Sequence, residues 1–180
     1  RGQVSNEYIG IFKELWTKEN PTFNGNYSEF NGITFLPKPL QNPHPPIWIG
    51  GESAPALRRA ASIGDCWYPI GSNPRFPLHS PDLLEKRLKR LHKISEEIGR
   101  DPNDIQLAFS VNWMNTASEI QDKDGTRKSF TGNYEQIAGD IINLKDLGIH
   151  YISLNFPGES TDQIIENMES FIDNVGPLVD

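Results

Sequence analysis

Apolar positions along this chain recur with two periods, about 3.6 and 2, and the switches between them mark out the elements. Tyr8, Ile9, Phe12, Leu15 and Trp16 fall at helical spacing and predict a first helix from Ser5 to Thr17. Ser5 is placed as its N-cap, and Val4 and Ile9 have the spacing of a hydrophobic staple. The stretch from Pro21 to Pro46 is irregular. "GITFL" predicts a short hairpin within it, and Pro37, Pro39, Pro43, Pro45 and Pro46 make an extended lead-in. A regular rhythm then begins. "IWIG" reads as a strand, followed by a helix from Ala54 to Ile63 that closes on Gly64 as a C′ glycine. "DCWYPIG" is the second strand, and Ser80 with Pro81 opens a long helix that ends before Gly99. "IQLAFSVNW" leads through a long polar loop to a helix from Tyr134 to Leu147, capped by Asn133 and stopped by Gly148. "HYISLNF" is the last strand, and Ser160-Thr161-Asp162-Gln163 opens the last helix with a capping-box pattern.

Strands that alternate with helices pair in parallel through right-handed crossovers, so the expected class is α/β. An eight-unit (β/α)8 barrel typically takes about 250 residues. Four βα units over 45–180, preceded by a helix and lead-in over 1–44, read as one domain supplying about half of such a barrel. The chain is therefore expected to be incomplete by itself. Half a barrel leaves strand edges unpaired. Either a missing amino-terminal half or self-association should cover them.

Composition narrows the class. A net charge of −7 argues against nucleic acid as the main partner, and no apolar run has the length of a membrane span. The single cysteine, Cys66, excludes an internal disulfide and fits a cytoplasmic location. It reads as a small buried packing residue. The basic run from Lys86 to Lys93 is interleaved with leucines at helical spacing, so its charges form a solvated helix back. His44, His79, His92 and His150 show no metal-ligand spacing, and the chain has no P-loop, G-x-S-x-G or G-x-G-x-x-G.

The most informative stretch is Gly50-Gly51-Glu52-Ser53, at the carboxyl end of a parallel strand, where α/β sheets bind ligands. Two glycines permit a sharp turn and close approach of an anion to backbone, and the next helix offers free N–H groups. A plain connection with Ser53 as N-cap fits the same residues. Gly71 and Arg75 should line the mouth after the second strand. Arg75 is a candidate substrate contact or a surface arginine. Asn112, Trp113 and Asn155, at the ends of the next strands, could bond a substrate or serve as satisfied core polar groups. Loop 114–132 is long for a βα connection and is expected to be a mobile lid.

The arrangement of Pro37, Pro39, Gln41, Pro43, "PPIWIGGES", "ALRRAASIGD" and "WYP" resembles the luciferase-like monooxygenase family. "EYIGIFKELWT", "FNGNYSEF" and "FTGNYEQIAGDIINLKDLGIHYISLNFPG" extend the resemblance over nearly the whole chain. The resemblance implies a barrel that binds FMN or coenzyme F420 at its mouth, with this chain carrying strands five to eight. The wording of the central stretch leans toward the F420-type branch. Glu52, through its backbone, and Ser53 would then contact the cofactor phosphate, with Gly50, Gly51 and Gly71 beside it. The whole enzyme would act on a small-molecule substrate, without a metal. The alternative is a non-catalytic half-barrel that binds a ligand or assembles with a second copy.

Overall fold

The computed structural model describes residues 2–179. Helix α1 (Gly2–Thr17) begins before Ser5, which therefore lies inside it rather than capping it. Its first turn is anchored from outside: the Arg59 guanidinium donates to the Gly2 carbonyl (3.1 Å) and to Asn6 Oδ1 (2.6 Å). The hairpin also lies earlier than expected. Strands β1 (Thr22–Asn24) and β2 (Glu29–Asn31) pair antiparallel, while "GITFL" is irregular. The chain reverses at 25–28 because the Glu7 carboxylate accepts the backbone N–H groups of Asn26, Tyr27 and Ser28 at 2.7–2.9 Å.

From residue 48 the expected rhythm holds: β3 (Trp48–Gly50), α2 (Ala54–Ile63), β4 (Cys66–Tyr68), α3 (Pro81–Glu97), β5 (Gln106–Val111), α4 (Tyr134–Asp146), β6 (Tyr151–Leu154) and α5 (Thr161–Val179). The strands form one parallel sheet in the order β3-β4-β5-β6, each bonded to its predecessor. Local capping explains much of this. Asn133 and Gln136 form a reciprocal capping box at the start of α4. Gly99 and Gly148, at φ 76° and 81°, end α3 and α4 in the left-handed region. Gly64 differs from expectation. Its φ of −85° is ordinary, and glycine is needed for space, since a Cβ would lie 2.6 Å from Ile49 Cγ1. The end of α2 is closed by Arg100, whose guanidinium donates to the carbonyls of Ala61 (2.9 Å) and Gly64 (2.8 Å).

Alternation along the strands divides the sheet into two unlike faces. Ile49, Trp67, Leu107, Phe109 and Val111 point to the helices and form the core with Leu57, Leu84, Leu91 and Ile137. The opposite face carries Trp48, Tyr68 and Tyr151, with ring centroids 5.4 Å apart from Trp48 to each tyrosine. Trp48 is 41% and Tyr151 55% exposed, whereas Cys66 and Ala108, set between them in the register, are fully buried. Burial pushes the Cys66 thiol up to about 11, which agrees with a packing role. A doubly wound sheet reverses its strand order and covers both faces. This one does neither, which is the arrangement of barrel strands.

Candidate functional site

The carboxyl ends of the strands gather the candidate residues. After β3, Gly51 adopts φ 95°, and its carbonyl accepts the Trp67 indole N–H at 2.9 Å. The turn is thereby tied to the neighbouring strand. Gly50 is exposed, and a Cβ there would meet only the Tyr68 carbonyl, at 3.5 Å, so the backbone can be approached closely. Glu52 is 3% exposed and turned inward. Its carboxylate accepts the Ile70 N–H (2.7 Å) and the Asn73 amide (2.6 Å), holding the next connection in place. Sequence reasoning assigned only the Glu52 N–H a task; the carboxylate has a structural one. Ser53 is the N-cap of α2, but its hydroxyl makes no capping bond. The first helical bond runs from Leu57 N–H to the Ser53 carbonyl. The N–H groups of Ala54 and Ala56 precede it, and Pro55 has none. A free hydroxyl and two backbone donors therefore stand beside an open glycine, with the acidic side chain withdrawn.

Gly71 does not line an open mouth. It is buried, and a Cβ would fall 2.3 Å from the Trp113 ring and 2.6 Å from Phe109 Cζ. Glycine is required there because Trp113 lies over it. Arg75 is exposed beside Phe76, its guanidinium 5.7 Å from the ring centroid. Strand alternation separates the other three candidates. Asn112 and Asn155 are exposed at the rim of the uncovered face. Trp113 falls on the helix side, edge-on to Phe109, with its indole N–H donated to the Ser129 carbonyl at 2.9 Å.

Loop 114–132 is a fastened structure and not the free lid expected. Asp140, 3% exposed on α4, binds Arg127 through both carboxylate oxygens (2.7 and 2.9 Å) and accepts the Phe130 N–H at 2.6 Å. Arg127 also donates to the Thr131 carbonyl at 2.6 Å. Phe130, fully buried, sits at φ 63°, a conformation an L-residue keeps only when its surroundings enforce it. Sequence reasoning missed this staple, although a signal existed. Ile137, Asp140 and Leu144 share one helical stripe, so a carboxylate falls where apolar residues belong.

The loop tip meets the β4–α3 connection through His79 Nε2 and Asp122 Oδ2, 3.3 Å apart. Burial would raise the Asp122 pKa, but N–H groups of Thr126 and Asp124 and the His79 ring outweigh it and hold the carboxyl below its ordinary 3.8. Between them these segments enclose an open cavity of about 690 Å³, lined by Ser72, Pro77, Leu83, Trp113, Asp122 and Lys128 among others. Among the described residues, no group of three His, Cys, Asp or Glu could hold a metal, and no helix is long and apolar enough to cross a membrane.

A one-sided parallel sheet with its polar turns gathered at the carboxyl ends is the architecture of (β/α)8-barrel strands. The chain belongs to the luciferase-like monooxygenase family, whose family model matches residues 1–123. It is 28% identical to an FMNH2-dependent dimethylsulfone monooxygenase of Pseudomonas putida over 217 aligned positions, covering 99% of this chain and 58% of that protein. The corresponding enzyme of Pseudomonas fluorescens Pf0-1 is 24% identical over the same shares. The chain thus spans less than two thirds of the length of these relatives. Among solved structures, the coenzyme F420-dependent tetrahydromethanopterin reductase of Methanopyrus kandleri superposes with a TM-score of 0.70 at 14% identity, covering 99% of this chain and 64% of that one. The EDTA monooxygenase of Chelativorans sp. BNC1 gives 0.69 at 16% identity, covering 99% and 59%. At such identities the likeness establishes the fold: α/β with a parallel sheet, shared with barrel enzymes of this family.

Proposed function

We propose that this chain is the carboxyl-terminal portion, strands five to eight, of an FMN- or F420-dependent oxidoreductase, and that the Gly50–Ser53 turn holds the cofactor phosphate. The observation that carries the reading is the inward turn of Glu52. Its carboxylate turns away to accept from Ile70 and Asn73, so an anion beside Gly50 would meet the backbone, the Ser53 hydroxyl and the Ala54 and Ala56 N–H groups. When bound, a reduced flavin or deazaflavin would supply hydride or electron chemistry. This chain's residues would bind and orient it: Ser53 as a hydroxyl donor, Gly50 by permitting close approach, Trp67 by fixing the Gly51 carbonyl. Asn112 and Asn155 stand on the rim facing the barrel axis, where amides could orient a substrate. The uncovered aromatic face and the unpaired edges of β3 and β6 call for further strands, and the relatives, of which this chain covers 58%, are long enough to supply them.

In the complete protein, Ser53→Ala should weaken FMN or F420 by about tenfold, the worth of one hydrogen bond to a charged group. The phosphate-free riboflavin or deazaflavin analogue should be unaffected. Equal losses for both forms of the cofactor, measured by fluorescence titration, would reject the phosphate role.

A further inference from the structure

The uncovered face of the sheet changes character along the strands. Toward the amino ends it is filled by Trp48 and Tyr151, with Cys66 and Ala108 buried between them. Toward the carboxyl ends of β5 and β6 it turns polar. Ser110 pairs with Ser153 in the parallel register, and the Asn155 N–H continues the ladder to the Val111 carbonyl, so Asn112 and Asn155 form the next rung. Ser153, Asn112 and Asn155 are exposed and Ser110 is half-buried. Among the described residues, none of these four side chains makes a hydrogen bond. Two hydroxyls and two carboxamides thus face the barrel axis with their donors and acceptors open. The same face carries no charge. Alternate residues from Trp48 to Gly50, Cys66 to Ile70, Gln106 to Asn112 and Tyr151 to Asn155 are all apolar or neutral polar. Ile70, exposed and joined to Ser110 by a parallel bridge, sets an apolar surface beside the rungs. A charged group brought against this wall would lose water and gain only neutral partners, which is costly. An uncharged oxygen acceptor loses less water and meets amide and hydroxyl donors.

We propose that the Ser110–Ser153 and Asn112–Asn155 rungs select an uncharged substrate, a compact molecule whose carbonyl, sulfoxide or sulfone oxygens take their hydrogen bonds while its apolar part lies against Ile70. Ser110 and Ser153 then join the two amides as specificity determinants. Calling the ligand a substrate rests on the oxidoreductase reading; the preference for neutral over charged molecules does not.

The test uses the complete protein and two pairs of probes that differ by a methyl group against a charged oxygen: methyl phenyl sulfone with benzenesulfonate, and acetophenone with benzoate. Binding is followed by the NMR shifts of the Asn112 and Asn155 side-chain amides. Both neutral probes should saturate these signals, with each anion at least about tenfold weaker, the penalty for a desolvated charge without a counter-ion. An Asn112→Leu/Asn155→Leu double change should weaken the neutral probes by about tenfold, as read at the Ser110 and Ser153 amides, with circular dichroism confirming the fold. Ser110→Arg should reverse the order within each pair, while Ser62→Arg, exposed on α2, should leave it unchanged. Anions that bind as tightly as their neutral partners would overturn the proposal. So would indifference of the neutral probes to the double change, an order that Ser110→Arg leaves intact, or no saturable shift with any probe. FMN and F420 titrations of the same protein are read separately. Failure of both cofactors to bind, with the neutral preference intact, would reject the oxidoreductase reading alone.

Discussion

The two connections at the carboxyl end of the sheet are built by opposite means. The β3–α2 turn is short and is shaped by a glycine at φ 95° and a proline in the first helical turn, with two clasps added by the neighbouring strand and loop. Loop 114–132 closes across its own length, with the Gly132 and Lys128 N–H groups bonded to the Asn115 and Ile120 carbonyls. It is fastened from outside as well, by one carboxylate on the following helix, which holds Arg127 and the Phe130 backbone together and keeps Phe130 in an unfavourable conformation. The first kind of connection tolerates loss of a distant contact. The second combines bonds across the loop with a buried ion pair to a remote group.

That contrast can be broken most forcefully at Asp140. Asp140→Asn leaves Arg127 without its counter-charge in a mostly buried setting, at a cost of about 3 kcal/mol. For a chain of this size that is a fall of roughly 6–12 °C in Tm, readable by calorimetry. The Trp113 indole signal should move as well, because Ser129 is carried on the same segment. An unshifted Tm would mean the loop holds itself. Gly51→Ala should cost less, about 1–2 kcal/mol, from forcing an L-residue to positive φ. A Cβ there would also stand 3.2 Å from Ala56. Its effect should stay local, visible at the Trp67 indole N–H while the 114–132 amides keep their shifts. Spread of the perturbation into that loop would erase the distinction between the two connections.

The smallest effect concerns the loop tip. The Asp122 carboxyl is held below its ordinary 3.8, so its stabilising bonds are complete above that value and are lost as pH falls through the lower, folded-state pKa. The amide signals of Asp124 and Thr126 should titrate with a midpoint under 3.8, while Arg127 and Phe130 keep theirs. A midpoint above 3.8 would show that His79 and the backbone donors contribute nothing to holding the tip.

This division also explains what could be read from the chain. Helices α2, α3 and α4, the strands and the Gly99 and Gly148 stops follow from periodicity and capping, which act within a few residues. Ser5 and "GITFL" were misjudged because Arg59 and Glu7, remote in sequence, decide where α1 starts and where the hairpin turns. The candidate site divides in the same way. The Gly50–Ser53 turn was legible as a turn, but no local rule says that Glu52 faces inward to Ile70. Gly71 looked like a mouth residue, and its task is set by Trp113, which arrives from another strand. The His79–Asp122 pair needed two loops brought together before it existed.

Arg100 has an electrical consequence for the turn at the far end of α2. A ten-residue helix, about 15 Å long, carries opposite partial charges at its two ends. The guanidinium sits on the carbonyls of Ala61 and Gly64 and so neutralises the negative pole. What remains felt at Ser53 is the positive pole with its counterpart muted. A residue that never approaches the turn thus raises the potential there, and any anion resting beside Gly50 would sit in a field that Arg100 helps to set.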